Sequence, residues 1–85
     1  MEKKIGVISA ILESPEAVQS QFNTMVSAFK GIIKARTGVP FEEGISVVTI
    51  IVVGTVNEIN HLTGKLGQLK DVSVKTSISK RALGE

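Results

Sequence analysis

Cysteine, tryptophan and tyrosine are absent from this 85-residue sequence, which has three phenylalanines, two prolines and one histidine. Without cysteine there is no disulfide, no thiolate metal ligand and no thiol chemistry, so stability has to come from packing or association. Charge of neither sign dominates, since ten Lys and Arg against eight Asp and Glu leave +2. A mild basic bias lies in the last third, where Lys65, Lys70, Lys75, Lys80 and Arg81 face only Asp71 and Glu85; a solvated surface is the ordinary reading of such lysines. No apolar run approaches the roughly 20 residues a membrane helix needs. Met-Glu-Lys-Lys leads straight into a strand-like segment with no apolar leader, so a cytoplasmic protein is expected.

What is present is dominated by Gly44 to Thr55, Gly-Ile-Ser-Val-Val-Thr-Ile-Ile-Val-Val-Gly-Thr, whose interior is mostly β-branched and aliphatic. Ile45, Val47, Ile51 and Val53 fall on one parity and Val48, Ile50 and Val52 on the other, which predicts a strand buried on both faces. Lys4 to Glu13 reads the same way, with Ile5, Val7 and Ile11 opposite Ile8, Ala10 and Leu12. Ser14-Pro15-Glu16 has the character of a helix start, and Val18, Phe22, Met25, Val26 and Phe29 follow at helical spacing. The far side of that helix, Ser20, Asn23, Thr24 and Ser27, is small and uncharged. Gly31 ends it.

Ile32 to Val39 is a less apolar strand with Lys34 and Arg36 on one parity, the pattern of an edge. Pro40 to Gly44 is short enough to make it a hairpin with the central strand. Thr55 and Glu58 form a capping box before a second helix with an apolar stripe of Val56, Ile59, Leu62, Leu66 and Leu69. Gly64 and Gly67 inside it predict either early fraying or close packing against that side. Asp71 to Lys80 alternates cleanly, with Val72, Val74, Thr76 and Ile78 inward, as a second edge strand guarded by lysine.

The order β-α-β-β-α-β predicts one domain over residues 1–85: an α+β, ferredoxin-like, ACT-like sandwich with a four-stranded antiparallel sheet and both helices on one face. Two helices cover one face, yet both central strands are apolar on both. A monomer would expose that second face, so we expect a homo-oligomer, dimer or tetramer, formed through the helix-free sheet surface.

The fold hosts many functions, and the residues exclude several. RNA-reading sheets of this topology stack bases on aromatics of the central strands, which have none here. Metal-carrying versions need a Cys-x-x-Cys loop. Acyl-phosphate hydrolases use an arginine after the first strand, where this chain has Glu13-Ser14-Pro15-Glu16. Nitrogen-sensing trimers carry a long loop where this chain has five residues. Gly64-Lys65 lacks the remainder of a phosphate-binding loop. His61 stands opposite the apolar stripe of its helix, where a lone surface histidine is usually a spectator, and Glu42-Glu43 sits in a turn. Arg36 is the charged residue of most interest, because on an edge strand its planar fork could take a carboxylate or phosphate.

Lys34-Ala-Arg-Thr-Gly-Val-Pro40, the Gly44–Thr55 stretch and Asn57-Glu-Ile-Asn-His-Leu-Thr-Gly-Lys-Leu-Gly67 together resemble the family of small proteins called iron-only hydrogenase system regulators, over essentially the whole chain. That family is similar in fold to ACT domains and to the C-terminal sensing domain of nickel-responsive repressors. The resemblance implies a regulatory, non-catalytic role with no cofactor. The nickel site of those repressors does not carry over, since its histidines and cysteine are missing, and neither does their DNA-binding segment. The glycine-bearing loop on which ACT domains hold amino acids is replaced by Glu13 to Glu16. The favoured expectation is an oligomeric module that binds a small effector or a protein partner, with Arg36, Asn60, His61 and Lys65 as candidate contacts and neither nucleic acid nor membrane as a direct partner. The alternative is a small enzyme or metal-dependent protein whose site forms between subunits from His61, Arg36 and Glu42 or Glu43.

Overall fold

The computed structural model describes residues 2–84. Its elements run β1 (Lys4–Leu12), α1 (Pro15–Ala28), β2 (Ile33–Pro40), β3 (Ser46–Gly54), α2 (Val56–Gly67) and β4 (Val72–Ile78). The sheet is antiparallel in the order β2-β3-β1-β4, so the two strands apolar on both parities are the central ones and the two edges are those read as edges. This is the ferredoxin-like α+β arrangement with both helices against one face.

The core lies between that face and the helices. Ile8, Ala10 and Leu12 of β1 meet Val48, Ile50 and Val52 of β3 beneath Val18, Phe22 and Val26 of α1 and Ile59, Leu62 and Leu66 of α2, all buried. Met25 and Phe29 pack against this cluster half-buried. Val56, read into the α2 stripe, is instead 39% exposed; as the first residue of the helix it precedes the turn that turns toward the sheet.

Helix starts are secured in two ways. At α2 the capping box is complete: Thr55 N–H donates to Glu58 Oε1 at 2.8 Å and Glu58 N–H donates to Thr55 Oγ1 at 3.1 Å. At α1, Ser14 occupies the cap position without capping by its side chain. Its hydroxyl donates instead to Asp71 Oδ2 at 3.0 Å, while Glu13 N–H donates to the Asp71 carbonyl at 2.9 Å. Asp71, in the left-handed region at φ 56°, thus ties the end of β1 to the start of β4.

β2 begins with an irregularity between Ile33 and Ala35, after which Ala35, Thr37 and Val39 oppose Ile51, Thr49 and Val47, and Arg36 and Gly38 oppose Ile50 and Val48. The register runs unbroken from the hairpin back to Ala35, which places Arg36 on the helix side of the sheet, and the shift brings Ile33 to that side as well. Gly44, at φ 83°, closes the β2–β3 turn, where Phe41 N–H reaches the Ile45 carbonyl at 2.8 Å.

Candidate functional site

Among the described residues, the helix-free sheet face and a cleft beside β2 carry features that packing alone does not use. On the sheet face the central strands pair apolar against apolar, Ile5 with Val53, Val7 with Ile51 and Ile11 with Val47. Ile5 and Val7 are 38% exposed, Ile51 40% and Ile11 45%, whereas Ile8 and Ile50 on the opposite face are at 0%. Val39 of β2 extends this surface at 46% exposure. A single polar row crosses it, Thr37, Thr49, Ser9 and Lys75 on the four strands in order. Apolar pairs flank that row on both sides, so the face is neither a wet outer surface nor a uniform one.

The cleft lies on the helix side, at the outer end of the β2–β3 hairpin. It encloses about 230 Å³ and is lined by Gln19 of α1, by Arg36, Gly38, Val39 and Pro40 of β2, and by Ser46 and Val48 of β3. The pairings Gly38–Val48 and Pro40–Ser46 form its floor. Arg36 Nη2 donates to Asn23 Oδ1 at 2.7 Å, and its Cζ stands 5.5 Å from the centroid of the buried Phe22 ring. Gln19 Nε2 donates to the same Asn23 oxygen at 3.4 Å. The guanidinium is therefore held by an amide and an aromatic face. Among the described residues neither of these partners offers it a countercharge.

Asn60, His61 and Lys65 lie exposed on α2 and do not line the cleft that Arg36 lines. His61 and Lys65 are four residues apart and share a helix face. His61 is not loose on that surface, for its ring meets Phe29, the residue that caps the end of α1, edge-on, with centroids 5.3 Å apart and planes at 84°. Among the described residues, no three His, Cys, Asp or Glu side chains cluster as metal ligands. Glu58, whose carboxyl is held below its ordinary range chiefly by the Thr55 backbone N–H and then by the Thr55 hydroxyl, serves the cap of α2.

The sequence pointed to a pocket near Arg36 to Pro40, which includes Gly38, and to another near Asn60 to Lys65; Gln19 was not singled out, and Asn23 was read only as part of the uncharged far side of its helix. Their relation to Arg36 depends on hairpin register and on where α1 lies, and Asn23 is 13 residues from Arg36 in the chain. The available signal was the basic parity of β2, which the register of the β2–β3 hairpin turns to the helix side at Arg36. Among the described residues, no helix is long and apolar enough to cross a membrane.

The chain is similar to known proteins over most of its length. A family model described as "Iron-only hydrogenase system regulator, putative", of TM1266-like type, matches residues 4–76. The uncharacterised protein TM1266 of Thermotoga maritima superposes with a TM-score of 0.87 at 31% identity, over 93% of this chain and 100% of that one. The ACT domain of a GTP pyrophosphokinase from Chlorobium tepidum is similar in fold, with a TM-score of 0.65 at 18% identity over 95% of this chain and 91% of that domain. The C-terminal domain of the MgtC protein of Mycobacterium tuberculosis gives 0.64 at 15% identity, over 96% of this chain and 94% of that domain. No curated protein matches the chain.

Proposed function

Since the chain belongs to the TM1266-like family of iron-only hydrogenase system regulators, we propose that it is a non-catalytic regulatory module of the cytoplasm, a homo-oligomer that binds a small effector or a protein partner. A dimer or tetramer forms through the helix-free face of the sheet. The contacts with effector or partner are made at Arg36 and, on α2, at Asn60, His61 and Lys65, and the family description supports a link to the iron-only hydrogenase system.

The observation that carries the assembly is the uncovered apolar face of the two central strands. Four strands at about 4.8 Å spacing and about nine residues at about 3.3 Å give a face of about 570 Å² in projection. Accessible area exceeds projected area, so this single surface approaches the ~800 Å² per partner of a standard stable interface. Leaving Ile5, Val7, Ile11, Val39 and Ile51 in water forfeits about 25 cal/mol for each Å² that a second copy would cover.

Native mass spectrometry of the protein purified from its own cell reads subunit number and retained small molecules in one spectrum. The expected result is a dimer or tetramer. A monomer at micromolar concentration overturns the assembly, and an oligomer carrying an added mass identifies the effector directly.

A further inference from the structure

We infer that the cleft lined by Arg36, Gly38 and Gln19 is a binding site for a small monocarboxylate, an identification that rests on the effector-binding reading above and gives that effector its chemistry. Arginine's planar fork matches a carboxylate bidentately. Of its five N–H donors, Arg36 gives one to Asn23, and the others have no protein acceptor among the described residues. The fork is also preorganised, because Asn23 and the Phe22 face fix the guanidinium before any ligand arrives. Less side-chain entropy is then lost on binding.

Size and charge narrow the class. The cleft's volume of about 230 Å³ falls below the roughly 300–1,000 Å³ of pockets that take drug-sized ligands. That suits a molecule the size of an amino or keto acid and is small for a nucleotide. Arg36 is the one charged residue lining the cleft. Glu16, one helical turn before Gln19, and Glu42 and Glu43, just beyond Pro40, carry the opposite sign nearby in the chain, which disfavours a second anionic group. Gln19 lines the cleft beside Arg36, and its amide, one N–H of which goes to Asn23, has an oxygen and a second N–H able to orient a keto, hydroxyl or amino group beside the carboxylate.

The shape of the floor depends on Gly38. A Cβ built there meets nothing within 4 Å, and the backbone is not in the left-handed region. The missing side chain therefore leaves room in the cleft without being required by a turn. A larger residue at this position can fill the site while the strand still forms.

The test is titration of the full chain, ¹⁵N-labelled, with pyruvate, alanine, inorganic phosphate and AMP in parallel. Saturable shifts centred on Gln19, Asn23, Gly38 and Ser46 are expected with at least one of the two carboxylates. Arg36→Gln should weaken that binding at least tenfold, and Arg36→Lys should recover only part of it because it restores the charge without the fork. Gly38→Val should block binding with Arg36 intact, and Arg81→Gln, a guanidinium outside the cleft, should leave it unchanged. No saturable response to pyruvate or alanine, tighter binding of phosphate or AMP than of both, or indifference to both Arg36→Gln and Gly38→Val would overturn the inference. Native mass spectra of the same samples separate the two readings: an oligomer without carboxylate binding sinks this inference alone, and a monomer that binds sinks only the assembly.

Discussion

Gly6 of β1 lies directly against Ile59 of α2, so that a Cβ built on Gly6 would stand 3.1 Å from Ile59 Cγ2 and 2.9 Å from Val52 Cγ2. Both neighbours are β-branched, stiff at χ1 and fully buried. The glycine is what lets the second helix close onto the sheet.

Gly6→Ala should therefore destabilise the chain, although alanine is otherwise the better residue in a strand by roughly 0.5–1 kcal/mol. Overpacking of a filled core costs typically about 1–3 kcal/mol, and here no flexible chain end is available to yield. Urea denaturation with an unchanged m-value and a lower midpoint is the expected result. A midpoint equal to or above that of the parent would mean that α2 can lift off β1 at no cost.

The capping box makes α2 sensitive to acid. Because Glu58 is more acidic in the folded chain than in the unfolded one, its contribution is fully present above the ordinary carboxyl range and is lost as pH falls through the lowered folded-state value. Thr55→Ala should cost about 1 kcal/mol at neutral pH, the usual worth of such a cap. Glu58→Gln keeps an acceptor for the Thr55 N–H and removes the titration. The stability gap between parent and Glu58→Gln should accordingly be widest near neutrality and close toward pH 3 in thermal melts. A gap that widens on acidification would contradict the assignment.

Gly64 tests which surface the assembly uses. The helix runs through it and ends at Gly67, before Leu69 of the stripe read from sequence, and a Cβ built at Gly64 meets nothing within 4 Å. Of the two outcomes anticipated from sequence, close packing against Gly64 and Gly67 does not hold within one chain. Gly64→Ala should then stabilise the protein by about 0.5–1 kcal/mol and leave the subunit number unchanged. Loss of the oligomer on this substitution would move the interface from the sheet to the outer face of α2.

The legibility of the fold followed from period. Two strands apolar on both parities, two that were not, and a capping box with matched spacing determine the sheet order and the helix start. What escaped depended on contacts between distant segments. Ser14 has the right identity for a cap, but Asp71 competes for its hydroxyl from the far end of the chain. Arg36 was legible as an unusual charge on an edge, whereas its bond to Asn23 and its place over Phe22 depend on where α1 lies against that edge. His61 was legible as opposite the stripe of its own helix, but not as the neighbour of Phe29, because helix periodicity says nothing about the position of the other helix.

Ile51→Lys would test the sheet face most directly. Ile51 stands at the centre of the open surface, opposite Val7 on one side and Ala35 on the other, and is 40% exposed in the single chain. A lysine there can reach water in a monomer, and its stem can lie along Val7 and Val53, so the fold should survive with nearly unchanged circular dichroism. Between two stacked sheets the same ammonium would be buried without a partner, and Lys75, the charged residue already on that face, has the same sign. Light scattering should therefore report the mass of a single chain for Ile51→Lys and a multiple of it for the parent. A lysine at Ser73, at the rim on β4, should leave that multiple intact. If Ile51→Lys stayed folded and fully assembled, the helix-free face could not be the surface through which the subunits meet.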